Sequence, residues 1–436
     1  MEEQKKQHRL LLMPSPLQGH ITPLLHLAQI LFSKGFSITI LHTLYNSPDP
    51  TSYPQFSFHA IPDGLSESET ATLDSVNLTA LINIRCLHPL KEYLLSLLSD
   101  SLQSVPCFIS DAALHFTQSV CDEFKLPRLV LRTESRLEEP VVDFPPLKVK
   151  DLPMYQSNDP ETFYKLVCRF VEECKASSGV IWNTFEELES SALTKLRQDF
   201  SIPIYPIGPF HKGLLTGSAS SASLLTPDKS CMSWLDRQEH NSVVYVSFGS
   251  IASISEDEFL EIAWGLSNSQ QPFLWVIRPG LIRDSEWLEA LPSGFLENLG
   301  ERGYFVKWAP QEQVLSHPAV GAFWTHNGWN STLESICEGV PMICMPCFAD
   351  QKVNAKFASS VWKVGVQLEN KLERREVERT IKKVMVGDKA KEIRENALNL
   401  KEKASACLRE GGSSHCFLDS LVSDILSAAS SASRAR

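Results

Sequence analysis

The sequence predicts an α/β protein made of two doubly wound, parallel-sheet halves that face each other across a cleft. Three observations predict it. The 436 residues exceed what a single hydrophobic core usually supports, so two domains are the default expectation. Each half alternates short apolar runs with one-faced helical patterns, the strand–helix–strand order that builds right-handed parallel crossovers. Between them, GPFHKGLLTGSASSASLLTPDK (208–229) loses periodicity and is dominated by small and polar residues, as a linker is.

The elements follow in order. Leu10–Met13 is a short apolar strand, PSPLQGH (14–20) a loop, and Leu24, Leu27, Ala28 and Leu31 fall at i, i+3, i+4 and i+7 on one helix face. Gly35 ends that helix and FSITIL (36–41) is the next strand. The pattern returns at PCFISD (106–111), the helical DAALHFTQSVCDEF (111–124) and the strand RLVL (128–131). In the second half VVYVSF (243–248) and FLWVI (273–277) are near-continuous apolar runs, as strands buried on both faces are. AVGAFWTH (319–326) is a further strand, with a helix between it and VPMICMP (340–346). Toward the end Leu418, Leu421, Val422, Ile425 and Leu426 make one more one-faced helix, and SAASSASRAR (427–436) reads as a frayed tail. KLERREVERTIKK (371–383), mixed in sign, reads as a solvated helix. The resulting boundaries are an N-terminal domain (1–215), a linker (216–228), a C-terminal domain (229–412), and a helix with its tail (413–436).

Composition narrows the function. Forty-one basic against fifty-two acidic side chains give a net charge of −11, which repels phosphate backbones and anionic lipid; nucleic acid and membrane surfaces are not expected partners. No run approaches the ~18 apolar residues of a membrane span, and MEEQKKQHRLLLMPSP lacks the apolar region and cleavage site of a signal peptide. The eleven cysteines are odd in number and scattered from Cys86 to Cys416, with no framework of paired spacings. Cys344 and Cys347 form a CxxC without a second pair at zinc spacing, and read as packing thiols. The expectation is a cytoplasmic monomer with reduced thiols, in which the sequons at Asn77 and Asn330 carry no glycan.

The chemistry concentrates between Trp308 and Gln351, WAPQEQVLSHPAVGAFWTHNGWNSTLESICEGVPMICMPCFADQ. A strand ends at Thr325, Gly328 lets the backbone turn closely, and Asn330 and Ser331 open a helix as caps. Free amides and the positive dipole end there make an anion site that requires no metal. His326 can add a hydrogen bond to a phosphate oxygen. Glu334 suits a ribose diol, since a carboxylate accepts from two adjacent hydroxyls, and Trp308 offers an aromatic face for a base.

This stretch resembles the signature box of the plant secondary-product UDP-glycosyltransferases, a family with the two-domain GT-B fold. The match runs from the first tryptophan to the last glutamine without a gap. Weaker hallmarks lie at SWLDRQ (233–238), VYVSFGS (244–250) and PSPLQGH, so the resemblance spans nearly the whole chain. It implies that Trp308, beside Ala309, stacks on uracil and that Gln311 contacts the nucleoside. It implies Glu334 at the ribose, His326, Asn330, Ser331 and Ser250 at the diphosphate beside Gly328, and Trp329, Asp350 and Gln351 at the sugar. A terminal glutamine resembles glucose-preferring members, whereas histidine there points to galactose. UDP-glucose is then a co-substrate, with no cofactor and no metal.

His20 and Asp111 each lie just past a predicted strand of the same sheet. An acceptor hydroxyl attacking an anomeric carbon must lose its proton, and neutral histidine is the natural base near neutral pH. His20 precedes a helix whose first turn takes Pro23, and the positive dipole end favours the neutral ring. Asp111 would hold the other ring nitrogen and stabilise the imidazolium. The family carries that pair at these two positions.

The reading is an inverting, UDP-glucose-dependent glucosyltransferase acting on hydroxyl or carboxyl groups of small apolar acceptors: flavonoid, terpenoid, phenolic or hormone-like. A nicotinamide oxidoreductase is disfavoured because no GxGxxG follows the assigned strands. A UDP-sugar or small-molecule binding protein with little turnover stays open. After Thr133 the chain reads ESRLEEPVVDFPPLKVKDLP (134–153), shorter than the helical, pocket-lining segment that family members carry there.

Overall fold

The computed structural model describes residues 8–66, 69–70, 75–99, 105–132, 160–213, 225–283, 288–368 and 372–434. The segment after Thr133 and most of the expected linker lie outside them. The described residues form two compact units. One takes the chain up to Arg132, residues 160–213 and everything from Ala406 onward; the other takes Leu225–Ser405.

The first unit is a seven-stranded parallel sheet of β1 (Arg9–Met13), β2 (Ser37–Thr43), β3 (Ser57–Ile61), β4 (Phe108–Asp111), β5 (Arg128–Arg132), β6 (Gly179–Trp182) and β7 (Ile204–Pro206), in the order β3-β2-β1-β4-β5-β6-β7. Strand order reverses between β1 and β4, whose registers pair Leu11 with Phe108 and Met13 with Ser110. The crevice at such a reversal is where doubly wound sheets bind ligands; Asp111 is the last residue of β4, and His20 lies in the first turn of the helix that follows β1. Both sheet faces are apolar. Leu10 and Leu12 point into a core with Leu24, Leu27, Ala28 and Leu31 of helix Gln18–Ser33. Leu11 and Met13 point the opposite way, toward Leu78, Ile82, Leu90 and Val120.

The first core is completed from the far end of the sequence. Helix Ser413–Arg434 lays Leu421 and Ile425 against it, and Tyr205 donates a 2.6 Å hydrogen bond to Asp424. The apolar stripe is narrower than its sequence reads, because Leu426 is 42% exposed. The frayed tail is also corrected: the helix runs through the serine–alanine stretch to Arg434, with Ala429 buried. Alanine is a strong helix former, and continuing an established helix fixes one residue per added bond.

The second unit is a six-stranded parallel sheet of β8 (Val243–Ser247), β9 (Phe273–Val276), β10 (Gly303–Val306), β11 (Val320–Thr325), β12 (Met342–Cys344) and β13 (Gly365–Gln367), in the order β10-β9-β8-β11-β12-β13. Its reversal lies between β8 and β11, so the turns leaving these two strands again hold candidate site residues. Helix Glu256–Ser269 opens with a capping box, Ser255 and Glu258 each bonding the other's backbone N–H. Against it packs helix Arg374–Met385, which corrects the solvated reading of 371–383. Val377, Ile381 and Val384 are buried, at the i, i+4, i+7 spacing that the surrounding charges masked. The approach is close enough that a Cβ on Gly265 would fall 2.4 Å from the Val377 Cβ.

Candidate active site

Helix Gln18–Ser33 starts earlier than its proline implies. Leu17 is the cap, and His20 already sits in the first turn, its N–H bonded to the Leu17 carbonyl at 2.8 Å. Pro23 therefore falls in the second turn rather than the first, a correction set by the tight Leu17–Ser15 turn that closes the loop. His20 Nδ1 lies 2.8 Å from Asp111 Oδ2. Asp111 is buried, and its other oxygen accepts from the Ala113 N–H at 2.9 Å. The His20 side chain keeps 15% exposure. With Nδ1 held by the carboxylate, proton transfer to the ring goes to Nε2.

The expected helix 111–124 begins only at Phe116. Residues 111–115 form a turn pinned by Asp111 and by Asn83, whose sequence context carries no sign of this role. Asn83 Nδ2 donates to the Ala113 carbonyl at 2.8 Å and Oδ1 accepts from the Phe116 N–H at 3.1 Å. The carboxylate is thus fixed before any substrate arrives.

In the second unit, helix Trp329–Glu338 is capped by Gly328, with no side-chain cap. Asn330 and Ser331 are residues of its first turn and not its caps. The reason lies one step upstream, where buried Asn327 takes a left-handed φ of 60° and its N–H bonds Thr325 Oγ1 at 3.1 Å, so the chain has turned before Gly328. The His326 ring is wedged between two glycines. A Cβ on Gly249 would come within 2.6 Å of it, and one on Gly328 within 2.5 Å. Gly249, at φ +70°, also needs glycine for its backbone. Burial, with a smaller contribution from the Arg278 charge, lowers His326 to about 4, so the ring is neutral at pH 7.

Gln311 gathers the next group. Its Nε2 donates to Glu334 Oε2 at 2.6 Å and to Ser331 Oγ at 2.9 Å, and its Oε1 accepts from the Tyr245 hydroxyl at 3.2 Å. Tyr245 joins the site unannounced; inside an unbroken apolar strand run, its hydroxyl gives no signal. Trp308 is half-buried beside buried Ala309, and its carbonyl accepts from the Asp228 N–H at 2.8 Å. Ser250 is half-buried in the turn that follows β8.

At the end of the box, Gln351 is buried and its Oε1 accepts from the N–H groups of Cys347 and Phe348 at 2.9 and 3.0 Å. Two donors fix the amide orientation, so Nε2 is the end it can present. Asp350 accepts from Asn354 Nδ2 at 2.8 Å, and the same nitrogen reaches the Asn327 carbonyl at 2.9 Å. Trp329 is only 5% exposed and packs at a tilt against Trp362, 6.4 Å away. Cys344 lies buried in β12 and burial pushes its thiol up to about 12, as suits a packing residue.

Comparison with known proteins bears on this arrangement. A family model described as "UDP-glucoronosyl and UDP-glucosyl transferase" matches residues 200–403. The chain is 46% identical to UDP-glycosyltransferase 76B1 of Arabidopsis thaliana, over 98% of this chain and all of that protein. It is equally 46% identical to UDP-glycosyltransferase 76G1 of Stevia rebaudiana, over 97% of this chain and 98% of that protein. Among solved structures, the UDP-glucose: anthocyanidin 3-O-glucosyltransferase in complex with UDP superposes at a TM-score of 0.84, with 26% identity, 98% of this chain and all of that one covered. Phytolacca americana UGT2 complexed with UDP-2fluoro-glucose and pterostilbene superposes at 0.81, with 28% identity over 96% of this chain and 99% of that one. Near-complete coverage at this identity, together with two parallel-sheet units of the kind the GT-B fold is built from, leads to one conclusion: the chain belongs to the plant UDP-glycosyltransferases and is a glycosyltransferase acting on small molecules.

Proposed function

We propose that this enzyme transfers glucose from UDP-glucose, with inversion at the anomeric carbon, to a hydroxyl or carboxyl group of a small apolar acceptor. The observation that carries the reading is the 2.8 Å contact between His20 Nδ1 and Asp111, with Nε2 as the base. In a single displacement the acceptor O–H proton passes to Nε2, the acceptor oxygen bonds to the anomeric carbon, and the bond to the diphosphate oxygen breaks. Asp111 stabilises the imidazolium, and a carboxylic acceptor, already ionised, would need the dyad less.

On the donor side, Trp308 and Ala309 would take the base, with Gln311 beside them. Glu334 would take the ribose, exchanging its bond from Gln311 for one from a ribose hydroxyl. The N–H groups opening helix Trp329–Glu338, with His326, Asn330, Ser331 and Ser250, would take the diphosphate. Asp350, the Gln351 amide and the edge of Trp329 would read the sugar. No metal enters this reading. No described helix is long and apolar enough to cross a membrane.

Solved relatives in complex with UDP, and with UDP-2fluoro-glucose plus pterostilbene, support a UDP-sugar donor and a phenolic type of acceptor. The decisive experiment offers UDP-glucose with a panel of phenolics, terpenoid alcohols and carboxylic acids. UDP release with a β-glucoside, identified by its large anomeric coupling in NMR, is expected. An α-glucoside would overturn the single displacement, and exclusive use of another UDP-sugar would overturn the donor.

A further inference from the structure

Arg278 ends the apolar run of β9 and is buried. Its guanidinium reaches three backbone carbonyls: Nε donates to Gly249 at 2.9 Å, Nη1 to Pro279 at 3.0 Å, and Nη2 to Ala252. No carboxylate among the described residues pairs with it. Burial pulls its pKa down from the usual guanidinium value, yet arginine does not give up its proton in proteins. A buried charge answered only by carbonyl dipoles is costly unless something else compensates it.

The placement says what that something is. The turn that Arg278 clamps carries Gly249, against which the His326 ring sits, and His326 in turn abuts Gly328, the cap of helix Trp329–Glu338. The guanidinium, the imidazole and the helix start thus form one contiguous group within the second unit. The ring is neutral, and a helix end supplies only about half a unit of positive charge. A diphosphate needs more than that, in a protein whose net charge is −11.

We propose that Arg278 supplies the standing positive charge of the diphosphate subsite, holding the Gly249–Ala252 turn in place while offsetting the donor's charge. The inference rests on the donor-site reading above and deepens it. Arg278 is a positioning residue: it acts through the turn and through its field, with all three of its nitrogens bonded to carbonyls. It also bears on why an acidic protein can hold an anionic donor without a cation from solution.

The test compares UDP with uridine, which shares the nucleoside and lacks the charge. Affinities for both are measured by calorimetry on the full chain, for the native protein, Arg278→Gln and Arg278→Lys, with melting curves alongside. The native protein should prefer UDP strongly. R278Q should lose roughly 10- to 100-fold in UDP affinity while uridine affinity stays within about twofold. R278K keeps the charge and should retain most of the preference. An unchanged UDP-to-uridine ratio in R278Q, or equal loss for both ligands, would overturn the inference and make Arg278 a structural clamp. If R278Q does not melt cooperatively, R278K decides alone: a ratio within about threefold of native is expected, and a collapsed ratio with an intact melt overturns it. Absence of UDP preference in the native protein would instead bring down the donor-site reading itself.

Discussion

Asp111→Asn isolates one proton. Asp111 Oδ1 accepts from the Ala113 N–H at 2.9 Å, so the asparagine must keep its carbonyl oxygen there and place its NH2 opposite His20 Nδ1. That NH2 can only donate. Nδ1 becomes an acceptor and the ring proton moves to Nε2, the atom that ought to receive a proton from the acceptor. The variant also lacks the negative charge that faces the imidazolium. With the 2.8 Å contact the charge centres lie about 4 Å apart, and at an effective dielectric of about 20 such a pair is worth ~4 kcal/mol. Both partners are largely buried, so solvent screens this only in part. The expected fall in kcat with a phenolic acceptor is therefore about 10³-fold, read from UDP release. KM for UDP-glucose and inhibition by UDP should stay within about twofold, since the donor residues lie on other strands and helices. A kcat within about threefold of native would refute the dyad. A parallel loss of UDP affinity and melting temperature would show that Asp111 holds the fold instead.

Gln351→His should shift preference from UDP-glucose toward UDP-galactose, measured as the ratio of kcat/KM values; an unchanged ratio would remove Gln351 from sugar reading. One imidazole nitrogen cannot replace an oxygen that takes two backbone N–H bonds, so a stability loss of about 1 kcal/mol should accompany it. Excess chelator should leave turnover unchanged, whereas loss with recovery on adding magnesium or manganese would contradict the metal-free displacement. Inserting a helical apolar segment between Thr133 and Glu134, as the family resemblance suggests, should raise turnover of bulky acceptors and leave UDP affinity alone; high native turnover of bulky acceptors would show the short segment to be harmless. Acid should destabilise the fold through His26, which burial lowers to about 4. The unfolded chain takes up this proton near 6.5 while the folded one resists, so stability is full above that pH and falls by about 3 kcal/mol toward pH 4. Melting temperatures across that window should decline, less steeply in His26→Gln, and an equal decline would assign the effect to other groups.

The sheets are legible in the sequence because parallel strands buried on both faces leave unbroken apolar runs, as in Val243–Ser247 and Phe273–Val276. Helix starts are less so. Proline and asparagine signal a helix start on average, but the starts at Gln18 and Trp329 are decided by backbone turns at Leu17 and Asn327, one and two residues upstream of those starts. Charge hides the buried stripe of Arg374–Met385, since three buried apolar residues in twelve suffice when a glycine on the partner helix admits them. The pairing of His20 with Asp111, 91 residues apart, needs the family resemblance, because only sheet order brings the two loops together. Arg278 and Asn354 are beyond reach, as both act on backbone carbonyls and nothing in a sequence announces which carbonyl is near.

The seating of helix Ser413–Arg434 on the first sheet has a consequence for how the chain is made. Leu225–Ser405 is continuous and can close its core while the ribosome still holds the C-terminal helix. The first unit cannot. Its strands emerge earliest, yet the partners of that core, Leu421, Ile425 and the carboxylate that meets Tyr205, are translated last. For most of synthesis the nascent protein therefore carries an apolar patch over its oldest segment, a natural docking place for chaperones. A protease that nicks the chain after Leu408 would unmake the half that was built first.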